Sequence, residues 1–259
     1  MLQDVLAIAS GSLVGLVLGL IGGGGSILAV PLLVYVVGVS SPHVAIGTSA
    51  VAVALSALSS LVGHARAGNV RWPCAFAFAA AGVIGATLGS TLGKQVNGQH
   101  LLTFFGILMV IVAVTMLVRR SGAGEHFVPL TRASAPRLAP RLIGYGTGVG
   151  ALSGFFGIGG GFLVVPGLIA SADLPLLSAV GSSLVSVTAF GATTAANYAL
   201  SGLIDWWLVL VFVAGGVIGS LFGGGVAMRL AKQKQTLSRV FAGIVASVGI
   251  YVVLRGLTG

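Results

Sequence analysis

The stretch Gly22-Gly23-Gly24-Gly25-Ser26-Ile27-Leu28-Ala29-Val30-Pro31 returns as Gly157-Ile158-Gly159-Gly160-Gly161-Phe162-Leu163-Val164-Val165-Pro166, both times between long apolar runs. At an offset of 135 positions, Gly11, Gly15, Gly19, Gly22, Gly24, Gly25, Leu28, Val30 and Pro31 all meet identical residues. After a one-residue slip the match continues: Gly47 with Gly181, Ser49 with Ser183, Gly68 with Gly202, Trp72 with Trp206, and Gly82-Val-Ile-Gly85 with Gly216-Val-Ile-Gly219. Nearly the whole chain is therefore one unit used twice, residues 1–119 and 141–259, joined by a linker over 120–140.

Only 7% of the 259 residues are charged, 56% are hydrophobic and the mean hydropathy is +1.11. A soluble globule of this length needs a far more polar surface, so lipid is the outer solvent and the chain is a polytopic, all-α membrane protein. The net charge of +9 is spread between apolar segments rather than gathered with aromatics in one patch, which excludes a nucleic-acid partner. Cys74 is the only cysteine and lies in an apolar run, giving neither a disulfide nor a metal site. The start, Met-Leu-Gln-Asp-Val, lacks the basic region of a cleaved signal, so the first helix is expected to be retained.

Each half divides into five apolar pieces, at about 5–21, 27–38, 44–63, 72–93 and 101–118, then about 142–156, 162–170, 174–200, 206–228 and 236–254. The piece after each glycine run has about 9–12 residues, whereas a spanning helix needs about 20. Short, glycine-broken segments at matching places in two halves point to half-helices or re-entrant hairpins, with three full crossings in each half. Of the 13 Lys and Arg residues, 11 fall at Arg66 and Arg71, in 119–141 and in 229–239, which marks those loops as cytoplasmic. The linker, with Pro129, Pro136 and Pro140, reads as irregular. Either three crossings per half, or five if both short pieces span, is an odd number that inverts the second half and leaves both termini in the periplasm.

Gly11, Gly15 and Gly19, like Gly146, Gly150 and Gly154, repeat every four residues and place small residues on one helix face, as do Gly85-Gly89-Gly93 and Gly215-Gly219-Gly223. Such faces serve close packing within the chain, and they suit a homodimer interface as well. The glycine runs have a different meaning. They bare backbone N–H groups beside a truncated helix, where lipid satisfies none of them, and a helix N-terminus attracts an anion. Gly22, Gly23, Gly24, Gly25 and Ser26 would then face Gly157, Gly159, Gly160 and Gly161 across a small-anion cradle. The alternative is that the glycines only permit tight crossing of broken helices.

Thr48, Ser49, Ser182 and Ser183 stand at matched positions early in the next helix and are candidate ligands of the same anion; the alternative is bonding to helix carbonyls. Asn197 is a candidate substrate contact, and Tyr198 and His64, which match in the repeat, are candidates for gating or proton linkage. The four acids, Asp4, Glu125, Asp173 and Asp205, lie near segment ends or in loops. No buried carboxylate relay, catalytic triad, metal cluster or nucleotide loop is formed, so the chain is expected to be no enzyme, with no cofactor and no metal.

Gly19-Leu-Ile-Gly22-Gly-Gly-Gly25-Ser-Ile-Leu-Ala-Val-Pro31 with Gly47-Thr-Ser49, and Gly154-Phe-Phe-Gly157-Ile-Gly159-Gly-Gly161-Phe-Leu-Val-Val-Pro166 with Gly181-Ser-Ser183, resemble the sulfite exporter TauE/SafE family, the TSUP permeases. The resemblance covers most of the chain. It implies an inner-membrane permease of a prokaryote that moves a small sulfur-containing anion, such as sulfite, sulfoacetate or a related organosulfonate, often as export by alternating access. An anion channel and a non-transporting membrane scaffold or assembly factor remain the other readings of the residues.

Overall fold

The computed structural model describes residues 2–21, 23–118, 130, 134–229 and 234–258. The first half holds α1 (Leu2–Ile21), then a broken segment, then α3 (Pro42–Arg66), α4 (Trp72–Gly93) and α5 (Gly98–Val118). The broken segment joins a 3₁₀ turn (Gly23–Leu28), the single turn α2 (Ala29–Pro31) and a π turn (Leu32–Val36). The second half holds α6 (Ala135–Phe156), α7 (Gly161–Ala172), α8 (Leu176–Ala199), α9 (Trp206–Arg229) and α10 (Lys234–Thr258). No strand occurs among the described residues, and the protein is all-α as its composition requires.

Among the described residues, six helices are long and apolar enough to cross a membrane: α1, α3, α4, α5, α8 and α9. Gly24–Val36, Gly161–Ala172 and Ala242–Gly256 are shorter apolar helices. Two boundaries differ from the sequence expectation. α1 is itself of spanning length, and α6 begins at Ala135, inside the stretch read as an irregular linker. Pro136 causes no loss there, because the first turn of a helix needs no N–H donor. Pro140 lies further in and removes one helix bond without ending α6.

The main pairings are α1 with α9, α4 with α6, α3 with α8 and α5 with α10. With α1 to α5 matched to α6 to α10, exchanging the halves maps this set of pairs onto itself. The glycine ladders explain it. A Cβ at Gly15 would strike the backbone of Gly216, and one at Gly150 would strike that of Gly82, the repeat counterpart of Gly216. Side chains are absent where the backbones touch, as close helix packing in lipid requires. Both ladders are thus used inside one chain.

The same contacts fix helix direction. Gly215, Gly219 and Gly223 lie against Ile8, Ser12 and Leu16 in ascending order, so α9 and α1 are parallel. Gly47, early in α3, lies against Tyr198 and Leu203, whereas Gly181, early in α8, lies against Asn69. α3 and α8 are therefore antiparallel. α5 and α10 are as well, since Gly256 meets Thr103 and Gly249 meets Met109. Ser59 bonds Ser220 while Gly216 faces Ser56, so α3 runs with α9 and hence with α1. Two consecutive parallel helices oblige the broken segment Gly23–Val36 to carry the chain back between them.

The outer surface is apolar. Ile84, Leu88, Leu92, Leu210, Leu221 and Phe222 are all exposed, an arrangement stable only with lipid as solvent. Trp72 opens α4 at one end of the bundle, and Trp206 and Trp207 open α9 at the other, where indole rings suit a membrane interface.

Candidate functional site

α6 ends because Gly157 adopts a left-handed conformation, φ 66°, with its N–H donated to Gly154 O and that of Ile158 donated to Ser153 O. Gly159 (φ 63°) and Gly160 (φ 67°) stay left-handed and turn the chain sharply into α7. Only glycine adopts such a sequence of dihedrals without strain. Leu163 and Val164 both donate to Gly160 O at 2.9 Å, so α7 is wound from its first residue. Among the described residues, the N–H groups of Gly159, Gly160, Gly161 and Phe162 have no acceptor. All four residues are buried.

Ser153 adds a side chain to this group of donors. Its Oγ is fully buried and has no hydrogen-bond partner. It stands so close to Gly160 that a Cβ there would lie 2.7 Å from it. Val53 and Val187, near the midpoints of α3 and α8, close the space beside Gly159, at 3.0 and 3.3 Å from a Cβ built there. The turn thus lies deep in the bundle and carries several N–H groups without an acceptor, one unpartnered hydroxyl and apolar neighbours. Unsatisfied donors cost about 1–3 kcal/mol each when buried, which makes this turn the candidate position for a ligand.

The first run is built differently. Gly23 to Leu28 form a 3₁₀ turn, and neither Gly24 nor Gly25 has a positive φ. Gly25 packs on the backbone of Val14 to Leu18, and Ser26 is buried within the turn. Gly22 lies outside the described residues. The 3₁₀ turn and α7 touch each other, so the two runs do meet inside the bundle. Yet the left-handed break with bare N–H groups belongs to the second run among the described residues.

The four matched hydroxyls are occupied by the protein itself. Ser49 Oγ donates to Ile46 O at 2.9 Å and reaches Gly157 O at 3.5 Å, and Ser183 Oγ donates to Val180 O at 2.7 Å. Thr48 Oγ1 accepts the N–H of Asp205 at 3.1 Å, and Ser182 Oγ accepts that of Arg71 at 2.9 Å. Two of the four thus bond back to carbonyls of their own helix, and two accept N–H groups from the opposite half. Asn197 lies at the end of α8, where its Nδ2 donates to Ser90 Oγ at 2.6 Å and Thr91 Oγ1 at 3.0 Å, away from the glycine runs. Tyr198 is fully buried with its hydroxyl unpartnered, and His64 lies in the last turn of α3 at the opposite end. An apolar groove between α3 and α8, lined by Val51, Leu55, Ala192 and Trp206, opens outward and does not include the glycine runs.

Ser153 is the site residue that sequence reasoning missed. Its repeat counterpart is Leu18, and that single exchange of a leucine for a hydroxyl one turn before the glycine run was the available signal. Lys94 is one of the two basic residues outside the basic loops, and its partners become visible only in the structure. Among the described residues no group of three or more His, Cys, Asp and Glu side chains is placed to hold a metal.

Comparison with known proteins supplies the class. A "Probable membrane transporter protein" of Xylella fastidiosa is 48% identical over 253 residues, covering 97% of this chain and 95% of the relative. The "Probable membrane transporter protein YunE" of Bacillus subtilis is 25% identical, with 98% of both chains covered. One from Methanocaldococcus jannaschii, "Probable membrane transporter protein MJ0441", is 28% identical over 72% of this chain and 69% of its own. No solved structure matches. The Sulfite exporter TauE/SafE family matches residues 7–252, so this chain, a multi-pass membrane transporter, belongs to that family.

Proposed function

We propose that this permease carries a small sulfur-containing oxyanion, sulfite or an organosulfonate, across an inner membrane, and that the anion binds at the N-terminus of α7. The observation that carries the reading is that one buried turn holds four N–H groups without an acceptor, Gly159 to Phe162, beside the unpartnered Ser153 hydroxyl. Sulfonate and sulfite present three oxygens to such donors, and backbone N–H groups accept any compact oxyanion in the same way. The family name supports sulfur chemistry for the substrate.

The pairing pattern supports an alternating-access reading. α3 and α8 are repeat counterparts and antiparallel, as are α5 and α10, which supports two halves inverted in the membrane. Relative motion of the interlocked pairs α1–α9 and α4–α6, which the repeat exchanges, would open opposite faces in turn around a central anion. The basic residues Arg66, Arg71 and Arg137 at one end support a cytoplasmic position for it and, with it, periplasmic termini.

Purified protein in liposomes, offered sulfite, sulfoacetate, taurine, sulfate and chloride with and without a pH gradient, tests the reading. Saturable uptake of a sulfur oxyanion is expected. Unsaturable chloride flux would instead indicate a channel, and no flux of any anion would indicate a scaffold.

A further inference from the structure

Lys94 caps the C-terminal end of α4, and its ammonium donates three hydrogen bonds: to Asn197 Oδ1 at 2.7 Å, Ser201 Oγ at 2.8 Å and Asn197 O at 3.1 Å. The orientation of the Asn197 amide is set by its other end, since Nδ2 donates to Ser90 and Thr91, whose own hydroxyl protons go to Thr87 O. Every oxygen around Lys94 is neutral, and no carboxylate pairs with it among the described residues. The cation is half-buried beside the Tyr198 ring, 5.9 Å from its centroid. One positive charge is thus held at the bundle end by dipoles alone.

Those bonds also join the two halves, since Lys94 belongs to the first and Asn197 and Ser201 to the second. The repeat does not duplicate them: the counterparts of Lys94, Asn197 and Ser201 are Met228, Gly63 and Ala67. The device exists at one end only. One turn deeper on the same face of α8, Thr194 is fully buried with an unpartnered hydroxyl.

We propose that Lys94 is an oxyanion docking site that doubles as a latch between the halves. Asn197 and Ser201 offer the ammonium only neutral oxygens, whereas an arriving oxyanion adds the attraction of a full opposite charge, and so it competes with them for Lys94. Its capture releases α4 from the end of α8 and opens the way past Thr194. The site rests on the proposed transport function for its purpose, and an uncompensated charge at a mouth raises the local concentration of anions in an ionic-strength-dependent way.

Two measurements test it. In transport of the anion found above, Lys94→Gln should raise KM about tenfold at low salt with a near-normal melting temperature and flatten its salt dependence, and Lys94→Arg should recover both. Independently of transport, Thr194→Cys in a Cys74→Ser background should react with an impermeant maleimide several-fold faster in sulfate than in gluconate of equal ionic strength. Adding Lys94→Gln should make labelling fast in both. Labelling indifferent to sulfate, or Lys94→Gln with an unchanged KM, overturns the proposal and leaves Lys94 a structural clasp. Absence of any transport with sulfate-dependent labelling intact would instead overturn the transport reading alone.

Discussion

Ser182 Oγ accepts the backbone N–H of Arg71 at 2.9 Å, and the repeat reproduces the bond at the other end of the bundle, where Thr48 Oγ1 accepts from Asp205 at 3.1 Å. Arg71 and Asp205 each precede a helix of the opposite half, α4 and α9. Both hydroxyls are fully buried. They are fastenings between halves, each supplying an acceptor to a helix-start N–H that has none in its own helix. Replacing Ser182 by Ala or Thr48 by Val is expected to lower stability by about 1–3 kcal/mol each while anion affinity in the folded protein stays unchanged. Equilibrium binding alongside thermal unfolding checks this; lost affinity at full stability would return these hydroxyls to the site.

The ladder contacts make a sharper stability test within one helix. A Cβ at Gly150 would strike the backbone of Gly82, which has nowhere to move, while Gly148, two residues away, has open space around it. Gly150→Ala should cost about 1–3 kcal/mol by overpacking. Gly148→Ala should be neutral or stabilising by up to about 1 kcal/mol, since alanine is the better helix former. Equal losses for the two would mean that α4 and α6 do not meet as described.

The repeat made most of this architecture legible. Matching Gly82 with Gly216 and Gly15 with Gly150 identified the packing faces, because small residues at a four-residue spacing have one physical use in lipid. What stayed hidden was the asymmetry. The runs at Gly22 and Gly157 look equivalent in sequence, but a serine at position 26 and a third glycine at 161 follow otherwise similar runs, and the local backbones differ: a 3₁₀ turn in one, a left-handed break in the other. Dihedral choices of consecutive glycines are decided by what packs on them, such as Leu18 beneath Gly25 and Ser153 beneath Gly160. The fates of Ser49 and Ser183 were undecidable for a similar reason, since a helix hydroxyl bonds equally well backward to its own carbonyl or outward to a ligand.

Sidedness is open to direct measurement. The contacts of Asp4 with Trp207 and of Lys94 with Ser201 gather one end of the bundle, and Arg71 with Ser182 marks the other. With Cys74 replaced by Ser, a cysteine at Leu130 should react with an impermeant reagent only from the cytoplasm. One at Leu2 should react only from the periplasm. Reaction of both from the same face would sink the assignment of inverted halves.

The α7 site itself calls for a variant that alters chemistry and leaves the backbone alone. Gly159 and Gly160 are unsuitable, because φ near +65° strains any residue with a Cβ, and a Cβ at Gly160 also meets Ser153. Their alanine variants should lose stability whether or not an anion binds there. Ser153→Ala removes one oxygen from a position where it bonds nothing in the protein, so folding should be unimpaired. If the hydroxyl donates to a bound oxyanion, affinity should fall by about 1.5–3 kcal/mol, the range for a hydrogen bond to a charged partner, which is roughly tenfold or more. Ser153→Thr, which keeps the donor, should retain part of it. Isothermal titration with sulfite in detergent, beside melting curves for the three variants and the parent, separates the outcomes: unaltered affinity in a stable Ser153→Ala protein would move the anion away from α7.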